Sequence, residues 1–129
     1  MNKTINFGID LGTTNSAISK YDGKQITIYK NRDLMEVTPS AVRIEKSGRI
    51  IVGRRAAQTQ QTEPDNVVME FKRWMGKEYK KTFAASGIQM DATELSAEVL
   101  KSLLDDANRH NSTPIKAAVI TVPAAFNHL

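Results

Sequence analysis

The 129-residue sequence has no cysteine, a single tryptophan, four prolines, seven glycines and two histidines. Without thiols there can be no disulfides, thiolate metal ligands or cysteine nucleophile, and the composition suits a reducing compartment; a cytoplasmic protein is the simplest reading. His110 and His128 lie far apart with no ligand pairs near them, so neither a metal centre nor a serine–histidine nucleophile has a framework. Long apolar runs are missing too. The richest stretch, Ile115 to Phe126, is broken by Lys116, Thr121 and Pro123 and falls well short of the roughly 20 apolar residues of a membrane helix. The first ten residues alternate apolar and polar side chains without a cleavable leader pattern. No fixed-period repeat or Gly/Pro-rich linker runs through the chain. A Walker-type phosphate loop is excluded, because no Gly-x-x-x-x-Gly-Lys-Ser/Thr string occurs.

What is present suits one folded domain with a core: 40% of residues are hydrophobic and 25% charged. Eighteen basic against fourteen acidic residues give a net charge of +4, but the two signs are interleaved. The densest basic patch, Lys72, Arg73, Lys77, Lys80 and Lys81, is interrupted by Glu70 and Glu78 and reads as a solvated face. Neither a nucleic-acid nor a membrane partner is expected.

Alternation marks Ile5 to Leu11 as a strand, with Phe7, Ile9 and Leu11 on one face. A Gly-Thr-Thr-Asn turn leads to a second strand from Ser16 to Tyr21. Asp22-Gly23 then predicts a two-residue type I′ hairpin to a third strand, Lys24 to Tyr29. Short strands at Ser40 to Glu45 and Arg49 to Gly53 flank a further turn at Lys46-Ser47-Gly48. Beyond Pro64-Asp65 the spacing of Val67, Val68, Phe71, Trp74 and Met75 predicts a helix ended by Gly76. Leu95, Val99, Leu100, Leu103, Leu104 and Ala107 predict a longer one, with Asp91 and Glu94 in capping-box spacing. Ala118 to Val122 reads as a strand buried on both faces, parallel to the first through the helical crossover. The expected fold class is therefore α/β, a mixed sheet of an antiparallel meander plus one parallel strand. A second covering helix would be needed after Leu129, so the chain is expected to be a truncated piece of a longer protein.

The segment that carries chemistry is Gly8-Ile9-Asp10-Leu11-Gly12-Thr13-Thr14-Asn15-Ser16. A strand delivers a carboxylate and then turns through glycine and small hydroxyl residues. Such a turn can aim successive backbone N–H groups at a phosphate, while a carboxylate can hold magnesium through water. By residue type alone an ordinary hairpin loop, with Asp10 a polar strand residue, is the favoured reading, because small polar residues dominate turns.

The full string closely resembles the first phosphate loop of the 70-kDa heat-shock chaperones, the DnaK-like family of the actin and sugar-kinase ATPase superfamily, whose lobes have a ribonuclease H-like fold. Val37-Thr38-Pro39-Ser40, Val52-Gly53 with Ala56, Phe71-Lys72-Arg73-Trp74-Met75-Gly76, Glu94 to Leu100 and Ala118 to Asn127 resemble further family segments in the same order. The resemblance implies ATP or ADP with Mg as cofactors. Gly12, Thr13, Thr14 and Asn15 would cradle the phosphates, with Thr13 nearest the γ-phosphoryl group and Asp10 in the outer shell of the magnesium. Lys72 would reach from the neighbouring lobe to stabilise γ-phosphate charge and orient the attacking water. Pro123 matches a proline that relays nucleotide state in the family, although Ala125 stands where a tyrosine is usual.

By the same resemblance residues 1–38 and 113–129 belong to subdomain IA and 39–112 to an inserted subdomain IB. The latter is shortened between Gly76 and Glu94, as in the HscC type, and lacks the β-hairpin usual there. The implied parent is a stress-response chaperone that hydrolyses ATP to control its grip on unfolded peptides. A J-domain co-chaperone and a nucleotide-exchange factor would be its partners. The isolated chain, with one of the two phosphate loops, is expected to be inactive. The rivals are another actin-like ATPase or a sugar kinase, against which the Thr38-Pro39-Ser40 and Phe71-Lys72-Arg73 strings speak.

Overall fold

The computed structural model describes residues 6–111, 115 and 117–121. In chain order they form β1 (Phe7–Leu11), β2 (Asn15–Tyr21), β3 (Ile26–Ile28), β4 (Thr38–Pro39), β5 (Ala41–Ile44), β6 (Ile50–Val52), α1 (Arg54–Gln58), β7 (Val67–Met69), β8 (Lys81–Thr82), β9 (Gln89–Met90), α2 (Ala92–Asn108) and β10 (Val119–Thr121). Two short 3-10 turns, Pro64–Asn66 and Phe71–Trp74, flank β7.

The first sheet is mixed, in the order β10-β1-β2-β3, with β4 paired to β2. β1 and β2 are antiparallel, Asp10 opposite Ala17 and Leu11 opposite Ser16. β1 and β10 are parallel, Asp10 opposite Thr121, as the helical crossover requires. β10 departs from expectation in one respect: Val119 and Ile120 are about half exposed rather than buried on both faces, because β10 is the edge of the sheet among the described residues. Pro123, Ala125 and His128 lie outside the described residues.

Hairpin chemistry explains the second strand pair. The turn after β2 is closed not by Asp22-Gly23 but by Gly23-Lys24. Gly23 alone has positive φ (95°), which fits the first central position of a type II′ turn. Asp22 instead uses its carboxylate, accepting from the backbone N–H groups of Lys24 and Gln25, both at 2.9 Å. These bonds draw its pKa below the ordinary aspartate value.

The helix expected over Val67 to Met75 does not form. β-Branched Val67 and Val68 pair with β5 instead, Val68 opposite Val42, giving a second sheet in the order β6-β5-β7. Glu70 then adopts a left-handed conformation (φ 56°), which ends the strand and starts the Phe71–Trp74 turn. Gly76 does have positive φ (74°), but it follows this 3-10 turn rather than capping an α-helix. A minimal β8–β9 hairpin anchored by fully buried Phe83 stands where no hairpin was expected.

α2 forms as its periodicity predicts. Leu95, Val99, Leu103 and Ala107 face the core, packed with Ile9, Leu11 and Ile18 of the first sheet and with Val42, Ile44 and Val68 of the second. Its start is a complete capping box: Glu94 N–H donates to the Asp91 carboxylate at 2.8 Å, and Asp91 N–H to the Glu94 carboxylate at 3.0 Å. Such caps contribute about 1 kcal/mol. One core thus joins both sheets, and it fixes the end of β1 relative to the Phe71–Trp74 turn.

Candidate functional site

Strand alternation sets the first element of the site. Ile9 and Leu11 point into the core at 2% and 4% exposure, so Asp10 between them faces solvent. β1 ends at Leu11 and β2 begins at Asn15, leaving Gly12, Thr13 and Thr14 to reverse the chain. Only glycine fits at 12, since a Cβ would collide with the Asn15 carbonyl oxygen. Thr13 is half-buried, while Thr14 and Asn15 are exposed. Among the described residues, the backbone N–H groups of Gly12, Thr13 and Thr14 and the side chains of Thr13, Thr14 and Asn15 make no hydrogen bond. The turn therefore keeps donors in hand.

The carbonyls of Gly12 and Thr14, in contrast, are held. Ser40 donates its N–H to the Thr14 carbonyl at 2.8 Å and its hydroxyl to the Gly12 carbonyl at 2.9 Å. Lys72 donates its ammonium Nζ to the Leu11 carbonyl at 2.6 Å. The Phe71–Trp74 turn brings this lysine in: Phe71 is buried at 1% exposure, and Lys72 beside it is fully buried at 0%. An α-helix through Met75 was the expected carrier of Lys72, and a 3-10 turn takes its place.

Burial of Lys72 pushes its pKa below the ordinary lysine value, and the Asp10 carboxylate pulls the other way without balancing it. Arg73, next along, points outward to an exposed ion pair with Glu70. Trp74 is 41% exposed, stacked on Tyr79 with ring centroids 5.2 Å apart.

All six site residues expected from sequence thus meet within one region: Asp10, Gly12, Thr13, Thr14 and Asn15 on one hairpin, and Lys72 bonded to the residue between Asp10 and Gly12. Sequence reasoning missed the buried serines behind the turn. Ser16 and Ser40 are 2% and 1% exposed, with hydroxyls 2.9 Å apart. The signal available was Ser16 ending the glycine-threonine string and Ser40 ending Thr38-Pro39-Ser40. His110 is exposed as expected, stacked on Tyr29 and within 3.1 Å of the Lys30 carbonyl. No helix among the described residues is long and apolar enough to cross a membrane.

A turn with spare N–H donors, a facing carboxylate and a buried ammonium has the elements of a phosphate site. The protein-family comparison agrees with the sequence resemblance. The family model described as Hsp70 protein matches residues 6–90 and 82–129. The two matches overlap from the end of β8 through β9, within the span between Gly76 and Glu94 that the sequence reading takes as shortened. Covered in this way from residue 6 to residue 129, with a mixed sheet of antiparallel strands and one parallel pair, the chain belongs to the Hsp70 family.

Proposed function

We propose that this chain is the first lobe of the nucleotide-binding domain of an ATP-hydrolysing chaperone. Residues 1–38 and 113–129 would form subdomain IA and 39–112 a shortened IB. Gly12, Thr13, Thr14 and Asn15 hold the phosphates of ATP or ADP through backbone N–H groups and side-chain donors. Asp10 holds magnesium through water, and that ion supplies neutralisation of phosphate charge. Lys72 directs its ammonium at charge building on the γ-phosphoryl oxygens and orients the attacking water. A fixed donor aimed at developing charge is the main contribution a protein makes to phosphoryl transfer.

The observation that carries this reading is the Lys72 ammonium seated on the Leu11 carbonyl, beside a turn whose own N–H groups are unused. Family membership supports the chaperone role and disfavours a sugar kinase or actin-like filament protein. In the whole protein, ATP binding and hydrolysis regulate the hold on unfolded peptides, with a J-domain co-chaperone and a nucleotide-exchange factor as partners in the cytoplasm. The 129 residues alone contain one such loop and have no measurable turnover.

The test is a coupled turnover assay on the full-length protein with and without unfolded peptide. Stimulation of ATP hydrolysis by peptide supports the reading, and phosphorylation of a sugar rejects it. Calorimetry on the 129-residue chain should show weak ATP binding or none; saturable micromolar binding would reject its assignment as an inactive lobe.

A further inference from the structure

We propose that Ser40, backed by Ser16, is a positioning residue that presets the turn for polyphosphate, a role that rests on the phosphate-site reading above. Both serines are buried, so their hydroxyls must be satisfied within the protein. A hydroxyl carries one proton. That of Ser40 goes to the Gly12 carbonyl at 2.9 Å, so the 2.9 Å contact between the serines runs from Ser16 as donor to Ser40 as acceptor. The result is a directed chain: Ser16 hydroxyl to Ser40 hydroxyl to Gly12 carbonyl. The Ser40 N–H adds a second hold on the Thr14 carbonyl. The antiparallel pairing of Pro39 with Asn15 places Ser40 opposite Thr14, so register gives this backbone bond to Ser40.

Peptide planarity turns these holds into orientation. In a trans peptide the C=O and the N–H of the next residue point in opposite directions. With the Leu11 carbonyl on Lys72 and the Gly12 carbonyl on Ser40, the N–H groups of Gly12 and Thr13 face away from those anchors. Both N–H groups are unused by the described residues. Donors fixed in this way need no reorganisation when an anion arrives. Ser40 thus acts through the backbone, without touching nucleotide.

The test uses the full-length protein, with ATP and adenosine titrated separately by calorimetry and unfolding midpoints recorded in parallel. Ser40→Ala should weaken ATP binding about tenfold, equivalent to about 1.4 kcal/mol, and leave adenosine binding unchanged. Ser40→Cys is close in size but donates weakly, so it should follow Ser40→Ala in affinity. Ser16→Ala should cost about two- to threefold, about half a kcal/mol, and nothing more when added to Ser40→Ala.

If Ser40→Ala binds ATP as wild type does, or loses ATP and adenosine in equal proportion, the proposal is overturned. Should Ser40→Ala fail to fold, Ser16→Ala and Ser40→Cys decide by the same criterion. A wild-type protein that does not prefer ATP to adenosine overturns the phosphate-site reading itself, and this proposal with it. A wild-type preference for ATP that survives every serine variant overturns this proposal alone.

Discussion

Replacing Lys72 with methionine separates the functional role of the ammonium from its structural one. The side chain is fully buried, and its Nζ lies 2.6 Å from the Leu11 carbonyl. Losing that bond removes about 1.5–3 kcal/mol of charge-assisted interaction. Against this, burying an ammonium costs several kcal/mol, a penalty that disappears with an unbranched apolar side chain of similar length. The lowered pKa shows the sign: burial outweighs the help from Asp10. The two changes nearly cancel, so Lys72→Met should alter folding stability by less than about 2 kcal/mol. Its effect on catalysis should be one-sided. A donor aimed at developing charge contributes about 2.7–4 kcal/mol, or about 10²–10³ in rate. Single-turnover ATP hydrolysis by the full-length protein, measured beside its unfolding midpoint, checks both. Turnover within about threefold of wild type would refute the role of Lys72, as would a stability loss large enough to account for the rate.

The same variant carries a pH signature. Because the folded amine titrates below its unfolded value of 10.5, the folded state binds fewer protons than the unfolded state between those two values. Lys72 therefore makes stability rise with pH in that window, with its full burial cost present below it. Lys72→Met should lack this rise in urea titrations carried up to about the unfolded lysine value of 10.5.

Three further changes probe the frame around the site. Gly12→Ala forces a Cβ against the Asn15 carbonyl; it should cost about 1–3 kcal/mol in chemical denaturation and abolish ATP binding. Asn31 is 8% exposed, accepts from the N–H groups of Asp33 and Met35 and donates to the Val37 carbonyl and the Thr38 hydroxyl. Asn31→Ala should cost about 2–4 kcal/mol at about 1 kcal/mol per bond, and faster proteolytic cleavage between 32 and 37 should accompany it. Leu34 is 76% exposed with φ of 62°, a conformation costly for leucine, so Leu34→Gly should raise stability by about 0.5–1 kcal/mol in urea unfolding. Unchanged or lowered stability would contradict the backbone conformation assigned there.

Which parts of this molecule can be read from its residues follows from the range of the forces involved. The β1–β2 hairpin, the Gly48 turn and the Asp91–Glu94 cap depend on neighbours within a few positions, and each stands where local chemistry puts it. Val67 to Met75 does not, because its apolar spacing is compatible with both periods. The choice is made by β5, a strand more than twenty residues away, with which Val67 and Val68 pair. The turn at Asp22 failed for a subtler reason: the aspartate supplies its carboxylate instead of a left-handed backbone, shifting the central pair by one residue. In the site, the string Gly12 to Asn15 is contiguous and legible. Lys72 is not legible from its surroundings in sequence, where a lysine among charged residues suggests an exposed face. Only the resemblance singled it out, and its burial comes from the 3-10 turn that Glu70 initiates. The Ser16–Ser40 pair, 24 positions apart, becomes visible only when β4 is laid against β2.

The central claim is that the turn after β1, with Lys72 behind it, grips a chain of phosphates. Calorimetric titration of adenosine, ADP and ATP into the full-length protein with magnesium measures that grip directly. Affinity should rise by about 100-fold or more, about 2.7 kcal/mol, from adenosine to the phosphorylated ligands, and Gly12→Ala should remove the difference. Equal affinity for adenosine and ATP would contradict the account.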